Sequence, residues 1–316
     1  TFIIILSFLL SYIDSDRENF KHIGGIENSN NIIATLRLNG PIVNNYGDSF
    51  FENIREYINP DNIKKNLNKL EDINPSVLII QINSPGGTVS ASASLEKTIS
   101  EFKKKHKIDI YFYSDEILAS GGYWVATAGD KIYANYGSII GSIGVSGPSW
   151  YYFDQPTSIT KGILGENIET KNGIQIFDQS AGNSKDLYNP FRKPTTNEIN
   201  HLQNMVEEIY EDFILKVSNS RKIEINTIKN EISALIYTGK QAKKKFLIDD
   251  ILNYDELISQ IIKDKKYEDY KLIEMNYKNK TLNKYLANFF KINDLNLCNK
   301  LNSNFVSVLP LALNEC

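Results

Sequence analysis

A chain of 316 residues, 41% of them hydrophobic, holds ample material for a core and fits one large α/β domain with appendages better than two equal domains. A formal net charge of −3 argues against nucleic acid as the main partner. The two cysteines, Cys298 and Cys316, provide no disulfide framework and no metal-ligand spacing. Lysine runs such as Lys103-Lys104-Lys105 and Lys243-Lys244-Lys245 follow amphipathic patterns and read as solvated helix ends.

In chain order, residues 1–13 (TFIIILSFLLSYI) are apolar. As a helix they span only ~20 Å, against roughly 30 Å of bilayer hydrocarbon. The expectation is the end of a transmembrane helix whose start precedes this sequence; a buried helix or a signal-peptide remnant is the alternative. Residues 14–31 read as a polar spacer. Residues 32–38 are a strand, and residues 62–70 have helical character. Residues 76–82 (SVLIIQI) form a nearly uninterrupted apolar run, as expected of a parallel strand covered on both faces. It ends in Ser84-Pro85-Gly86-Gly87. A helix over residues 90–105 follows, with Ala93, Leu95, Ile99 and Phe102 available to pack, then a strand over 108–113 and a second glycine turn at Ser120. Residues 131–134 and 139–145 are further strand candidates. This is a βαβ rhythm, and both glycine turns fall at the carboxyl ends of strands, where ligand sites of such sheets lie.

From residue 146 to Pro194 the chain is irregular. Thr195-Thr196-Asn197-Glu198 then has the capping-box pattern. The helix it opens carries the stripe Ile199, Leu202, Val206, Ile209, Phe213 and Val217, running towards Arg221. Residues 266–316 read as a Lys- and Asn-rich C-terminal extension.

The most informative segment is Ala119-Ser120-Gly121-Gly122-Tyr123-Trp124. It puts a hydroxyl at a turn where a helix begins, and its glycines let backbone approach a substrate closely. Each glycine turn can supply one oxyanion donor, so the pattern implies a serine hydrolase. Such a serine needs a base. His22, His106 and His201 lie in the spacer, at a basic helix end and near the start of the capped helix; none follows a strand end, so a Ser-His-Asp triad has little support. A lysine is the remaining base, and it must be neutral to act. Sequence alone does not choose among 35 Lys and Arg, although Lys185 lies in a polar turn, Gly182-Asn183-Ser184-Lys185-Asp186, ahead of Pro190.

Residues 119–145 (ASGGYWVATAGDKIYANYGSIIGSIGV) closely resemble the signal peptide peptidase A family of serine–lysine peptidases. The Ser84-Pro85-Gly86-Gly87 turn, Ser184-Lys185-Asp186 with Asn189-Pro190-Phe191-Arg192, and Tyr237-Thr238-Gly239-Lys240-Gln241-Ala242 match it as well, so that the resemblance covers roughly residues 32–257. It implies a crotonase/caseinolytic-protease-like ββα superhelix with parallel strands, as one peptidase domain over residues 32–265. It implies Ser120 as nucleophile, Lys185 as general base and Ser142 as the hydroxyl orienting the lysine. Gly121 and Gly87 would be the oxyanion donors, with no metal or cofactor. A homo-oligomeric ring or dome is expected, with the lysine coming from the same or a neighbouring subunit. The implied protein is a single-pass endopeptidase of the cell membrane, facing the outer (periplasmic) side and cleaving hydrophobic peptides such as remnant signal peptides. The sequence departs from the family in a long aromatic segment, Pro148-Ser149-Trp150-Tyr151-Tyr152-Phe153. It also has Phe246 where a glycine is usual, and Asn135-Tyr136-Gly137 lacks a familiar proline. Two other readings stand beside this one. An acyl-CoA hydratase or hydrolase on the same fold would need paired carboxylates, for which only Asp115 and Glu116 lie near a glycine turn; the second is a non-catalytic scaffold.

Overall fold

Seven strands form the main sheet of the computed structural model, which describes residues 20–44, 56–154, 173 and 179–275, and the backbone of 158–160 and 167–169. The strands are β1 (Phe20–Gly25), β2 (Ile32–Asn39), β3 (Val77–Asn83), β4 (Asp109–Ser114), β6 (Lys131–Ala134), β11 (Asp250–Ile251) and β12 (Lys271–Met275). Their spatial order is β1-β12-β2-β3-β4-β6-β11. All neighbours run parallel except β1, which pairs antiparallel with β12. A second sheet has the order β10-β7-β5, from Ile236–Thr238, Ile139–Gly141 and Ile117–Ala119. A two-stranded antiparallel ribbon joins β8 (Ser158–Thr160) to β9 (Asn167–Glu169).

Both faces of the main sheet are covered, so β3 is buried along nearly its whole length and shows no alternation. One face carries Leu36, Leu78, Ile80, Phe112 and Ile132 against helices α1 (Pro60–Leu70), α2 (Val89–His106), α3 (Gly121–Ala126) and the end of α4 (Thr196–Arg221). The other carries Ile33, Val77, Ile79, Tyr111 and Tyr133 against Leu257, Ile258 and Ile261 of α6 (Tyr254–Lys265). A short helix, α5 (Gly239–Lys244), leads from β10 towards β11.

The sheet extends past the expected 32–265 boundaries at both ends. Phe20–Gly25 falls in the stretch read as a spacer, and Lys271–Met275 in the stretch read as an extension, yet the two pair from Phe20↔Met275 to Gly25↔Lys271. The proposed anchor remnant, residues 1–13, and everything beyond Met275 lie outside the described residues. Among the described residues no helix is long and apolar enough to cross a membrane. The strand expected over 139–145 stops at Gly141, because Ser142 turns into the left-handed region at φ 51°.

α4 begins with the expected capping box, Thr195 and Glu198 bonding each other's backbone N–H. Its apolar stripe, however, is only half used. Phe213 and Val217 are buried and Phe213 stacks on Trp124 at 4.9 Å, whereas Ile199 remains 51% exposed. The N-terminal half of the helix therefore projects from the core. An ionic knot ties the loop ahead of it to the helix: Arg192 grips Asp186 at 2.6 and 2.8 Å and Glu198 at 2.7 and 2.9 Å. The same guanidinium lies 5.1 Å over the ring of Trp150, whose indole N–H donates to the Asn189 carbonyl at 3.1 Å. Trp150 thus packs, while Tyr151 and Phe153 beside it are exposed.

Arg192 holds both Asp186 and Glu198 below their ordinary carboxylate values, Glu198 also through the Thr195 N–H. The tie is fully present above those ordinary values, 3.8 and 4.5, and is lost as pH falls below them through the lowered ones. Arg192→Ala at neutral pH should therefore show several-fold faster proteolytic nicking over residues 179–194 with little change in core unfolding, and wild type should match it only well below pH 3.8. Equal nicking rates would refute the tie. Phe246 stands at φ 60°, a conformation glycine adopts without strain. Its side chain is 69% exposed, so Phe246→Gly should raise the stability in urea by up to about 1 kcal/mol.

Candidate active site

Two chain reversals meet at the carboxyl ends of β3 and β5. Ser84 joins them: its N–H donates to the Ile117 carbonyl at 2.8 Å, and its carbonyl accepts from Ala119 N–H at 3.1 Å. The Ser84 hydroxyl bonds Gly86 N–H at 3.2 Å and fixes the first glycine turn. The sequence marked Ser84 only as part of a turn; its Ser-Pro-Gly-Gly context was the available signal, and only the fold shows what it connects.

Ser120 sits where β5 breaks into α3. It is completely buried, with φ 56° and ψ −125°, and its N–H donates to the Gly141 carbonyl at 2.8 Å. A non-glycine residue in this region is strained, and strain of this kind presents a side chain at a sharp strand-to-helix bend. α3 behind it is fixed by Tyr123, whose hydroxyl donates to the Leu247 carbonyl at 2.7 Å. Burial pushes that phenol well above its ordinary value, so it stays protonated and keeps donating.

Gly86 faces the serine directly. It has φ +114°, and a Cβ built on it would stand 3.2 Å from Ser120 Oγ and 3.0 Å from Gly121 N. Gly86 thus packs directly on Ser120 and Gly121, so closely that a Cβ would also stand 2.9 Å from Ser120 Cβ; only glycine lets this turn lie against the serine. Among the described residues, no hydrogen bond within the chain takes up the N–H of Gly121 or of Gly87. The Gly87 nitrogen lies 3.3 Å from where a Gly121 Cβ would stand. Gly121 and Gly87, the two positions the resemblance names, thus lie together beside Ser120.

Ser142 joins the same cluster. Ala119 and Gly141 are register partners in parallel strands, so the next residues, Ser120 and Ser142, emerge side by side at about the 5 Å strand spacing. Ser142 is 3% exposed, and its N–H donates to the Leu235 carbonyl at 2.8 Å.

Lys185 is not part of this cluster. It lies exposed in the arm loop, and among the described residues no side chain or carbonyl accepts from its ammonium. The loop is tied to the start of α4, about 25 Å of helix from Phe213, which packs against the helix that Ser120 opens. The histidines are not close either. His106 stacks on Phe102 at the end of α2, near the amino end of β4; His22 is on β1 and His201 on the exposed half of α4. Asp115 accepts hydrogen bonds from the Gln81 and Asn83 amides, and Glu116 is exposed, so neither forms the paired acid and base of an acyl-CoA site. No three His, Cys, Asp or Glu among the described residues form a metal-binding group.

The model of Peptidase family S49 matches residues 102–268, more than half of the chain. A putative signal peptide peptidase SppA from Enterococcus faecium is 32% identical over 254 residues, which cover 80% of this chain and 69% of that protein. A putative protease from Methanocaldococcus jannaschii is 33% identical over 222 residues, 69% of this chain and 65% of that protein. Among solved structures, a membrane-bound stomatin-specific protease gives a TM-score of 0.42 at 16% identity, covering 73% of this chain and 84% of that one. That likeness is loose, and the parallel sheet with its two glycine turns describes the architecture on its own. The family profile and the Enterococcus relative agree: this chain belongs to Peptidase family S49.

Proposed function

We infer that the chain is a serine endopeptidase in which Ser120 and Lys185 form the catalytic dyad. The observation that carries this is the strained bend at Ser120, beside which the Gly121 and Gly87 N–H groups are taken up by no hydrogen bond among the described residues. Lys185 Nζ takes the Ser120 proton as Oγ adds to the scissile carbonyl, and Gly87 and Gly121 N–H hold the negative oxygen. The intermediate collapses with the same proton passing to the leaving amine. Lys185 then deprotonates a water that releases the acyl group from Ser120. Ser142, beside Ser120, orients the lysine amine.

A lysine serves as a base only after desolvation, and Lys185 is exposed on an arm within one chain. Its position supports a dyad completed between subunits, the arm of one entering the Ser120 pocket of its neighbour. The half-exposed stripe of α4, with Ile199 and Met205 on the surface, is in keeping with such an assembly. Hydrophobic peptides, remnant signal peptides among them, are the proposed substrates, in line with the name of the Enterococcus relative. Membrane attachment through residues 1–13, with the domain on the outer face, belongs to the same proposal.

Ser120→Ala and Lys185→Ala should each lower peptide hydrolysis by at least ~10³-fold. Mixed and reassembled at equal amounts, they should recover about a quarter of wild-type activity, because one site in four of a head-to-tail ring then pairs an intact Ser120 with an intact Lys185. No recovery under demonstrated subunit exchange would place the dyad within one chain. Hydrolysis undiminished in Ser120→Ala would overturn the assignment.

A further inference from the structure

Ser92 lies near the start of α2, wholly buried, with its N–H donating to the Thr88 carbonyl at 3.0 Å. Among the described residues its hydroxyl has no hydrogen-bond partner. The buried serines Ser29, Ser84, Ser114 and Ser138 all bond theirs. An unpaired buried hydroxyl costs roughly 1–3 kcal/mol, and a methyl in its place would avoid that cost.

Where this hydroxyl sits is the second observation. A Cβ built on Gly121 would stand 2.3 Å from Ser92 Oγ and 3.3 Å from Gly87 N. The Ser92 hydroxyl, the Gly121 backbone and the Gly87 N–H therefore crowd one spot next to Ser120. Each carries a hydrogen-bond donor, and no acceptor among the described residues reaches any of the three. Three unpaired donors at one buried spot are poorly suited to a resting protein and well suited to an arriving negative charge.

We propose that Ser92 is a third donor of the oxyanion site. Its hydroxyl stays without an acceptor at rest and turns to the negative oxygen once Ser120 Oγ has added to the carbonyl. No proton changes hands; the hydrogen bond exists in the tetrahedral state and not in the ground state, so it acts on kcat and not on KM. A side chain at position 121 would stand 2.3 Å from Ser92 Oγ and displace this hydroxyl. The proposal rests on Ser120 being the nucleophile.

The test compares wild type, Ser92→Ala, Ser92→Cys and Ser120→Ala in the assembled protein. It measures hydrolysis of a fluorogenic hydrophobic peptide, inhibition by a peptide boronate, which forms a tetrahedral adduct on serine, and thermal unfolding. Ser92→Ala should lower kcat about 10- to 100-fold with KM within about twofold, and weaken the boronate by the same factor as kcat/KM. Its Tm should equal or exceed that of wild type, since an unpaired polar group has been removed. Ser92→Cys keeps nearly the same shape but is a weak donor, and should behave like the alanine variant. Full kcat in Ser92→Ala, or a loss of kcat with a lowered Tm and unchanged boronate affinity, would overturn the proposal. A dead Ser120→Ala beside a fully active Ser92→Ala removes only the role of Ser92; an active Ser120→Ala removes both assignments.

Discussion

Ser120 holds a backbone conformation that a side-chain-bearing residue adopts at a cost of order 1–3 kcal/mol, and the rest of the site is arranged around keeping it there. Its N–H is anchored to Gly141, the preceding Ala119 to Ser84, and the helix behind it to Leu247 through Tyr123. Each anchor comes from a different part of the chain. The strain is held by the parallel sheet and its covering helices, whose cores bury nearly all of β3 and the whole of α3. Relaxing the bend would move Oγ off the Gly86 turn and rotate the Gly121 N–H with it.

The chemistry is divided between two mechanical regimes. Ser120, Gly121, Gly87 and Ser142, the proposed serine half of the site, stand at buried positions on the packed sheet and its turns, which holds them in a fixed geometry. Lys185 stands on a loop held by a guanidinium–dicarboxylate knot at the exposed end of α4. A base displayed away from its own nucleophile remains solvated until it meets a surface that buries it. Under the proposed dyad, assembly is the step that creates the base, and an isolated chain carries only the serine half.

The sequence made the centre of the fold legible and left its edges obscure. The apolar run of β3 stands out because coverage on both faces removes the alternation that one-sided strands show. Ser120 stands out because glycines crowd where backbone must approach backbone. β1 and β12 escape notice: Phe20–Gly25 and Lys271–Met275 are short, carry charged residues, and become strands only by pairing across nearly the whole described chain. The stripe of α4 is legible as a helix but not as a half-exposed one, since periodicity does not say whether a neighbour covers it. Ser92 was hidden in the same way, because a serine among Ala91, Leu95 and Ile99 reads as helix filler until Gly121 is placed against it. Lys185 came from family resemblance, and its surroundings within one chain do not mark it as a base.

The measurement that tests the central claim most directly is labelling of the assembled protein by a fluorophosphonate, with the modified residue mapped in wild type and in Lys185→Ala. Modification at Ser120 in wild type, at least about tenfold slower in Lys185→Ala, is the predicted result. Modification of another serine, or of Ser120 at an equal rate without Lys185, would contradict the account.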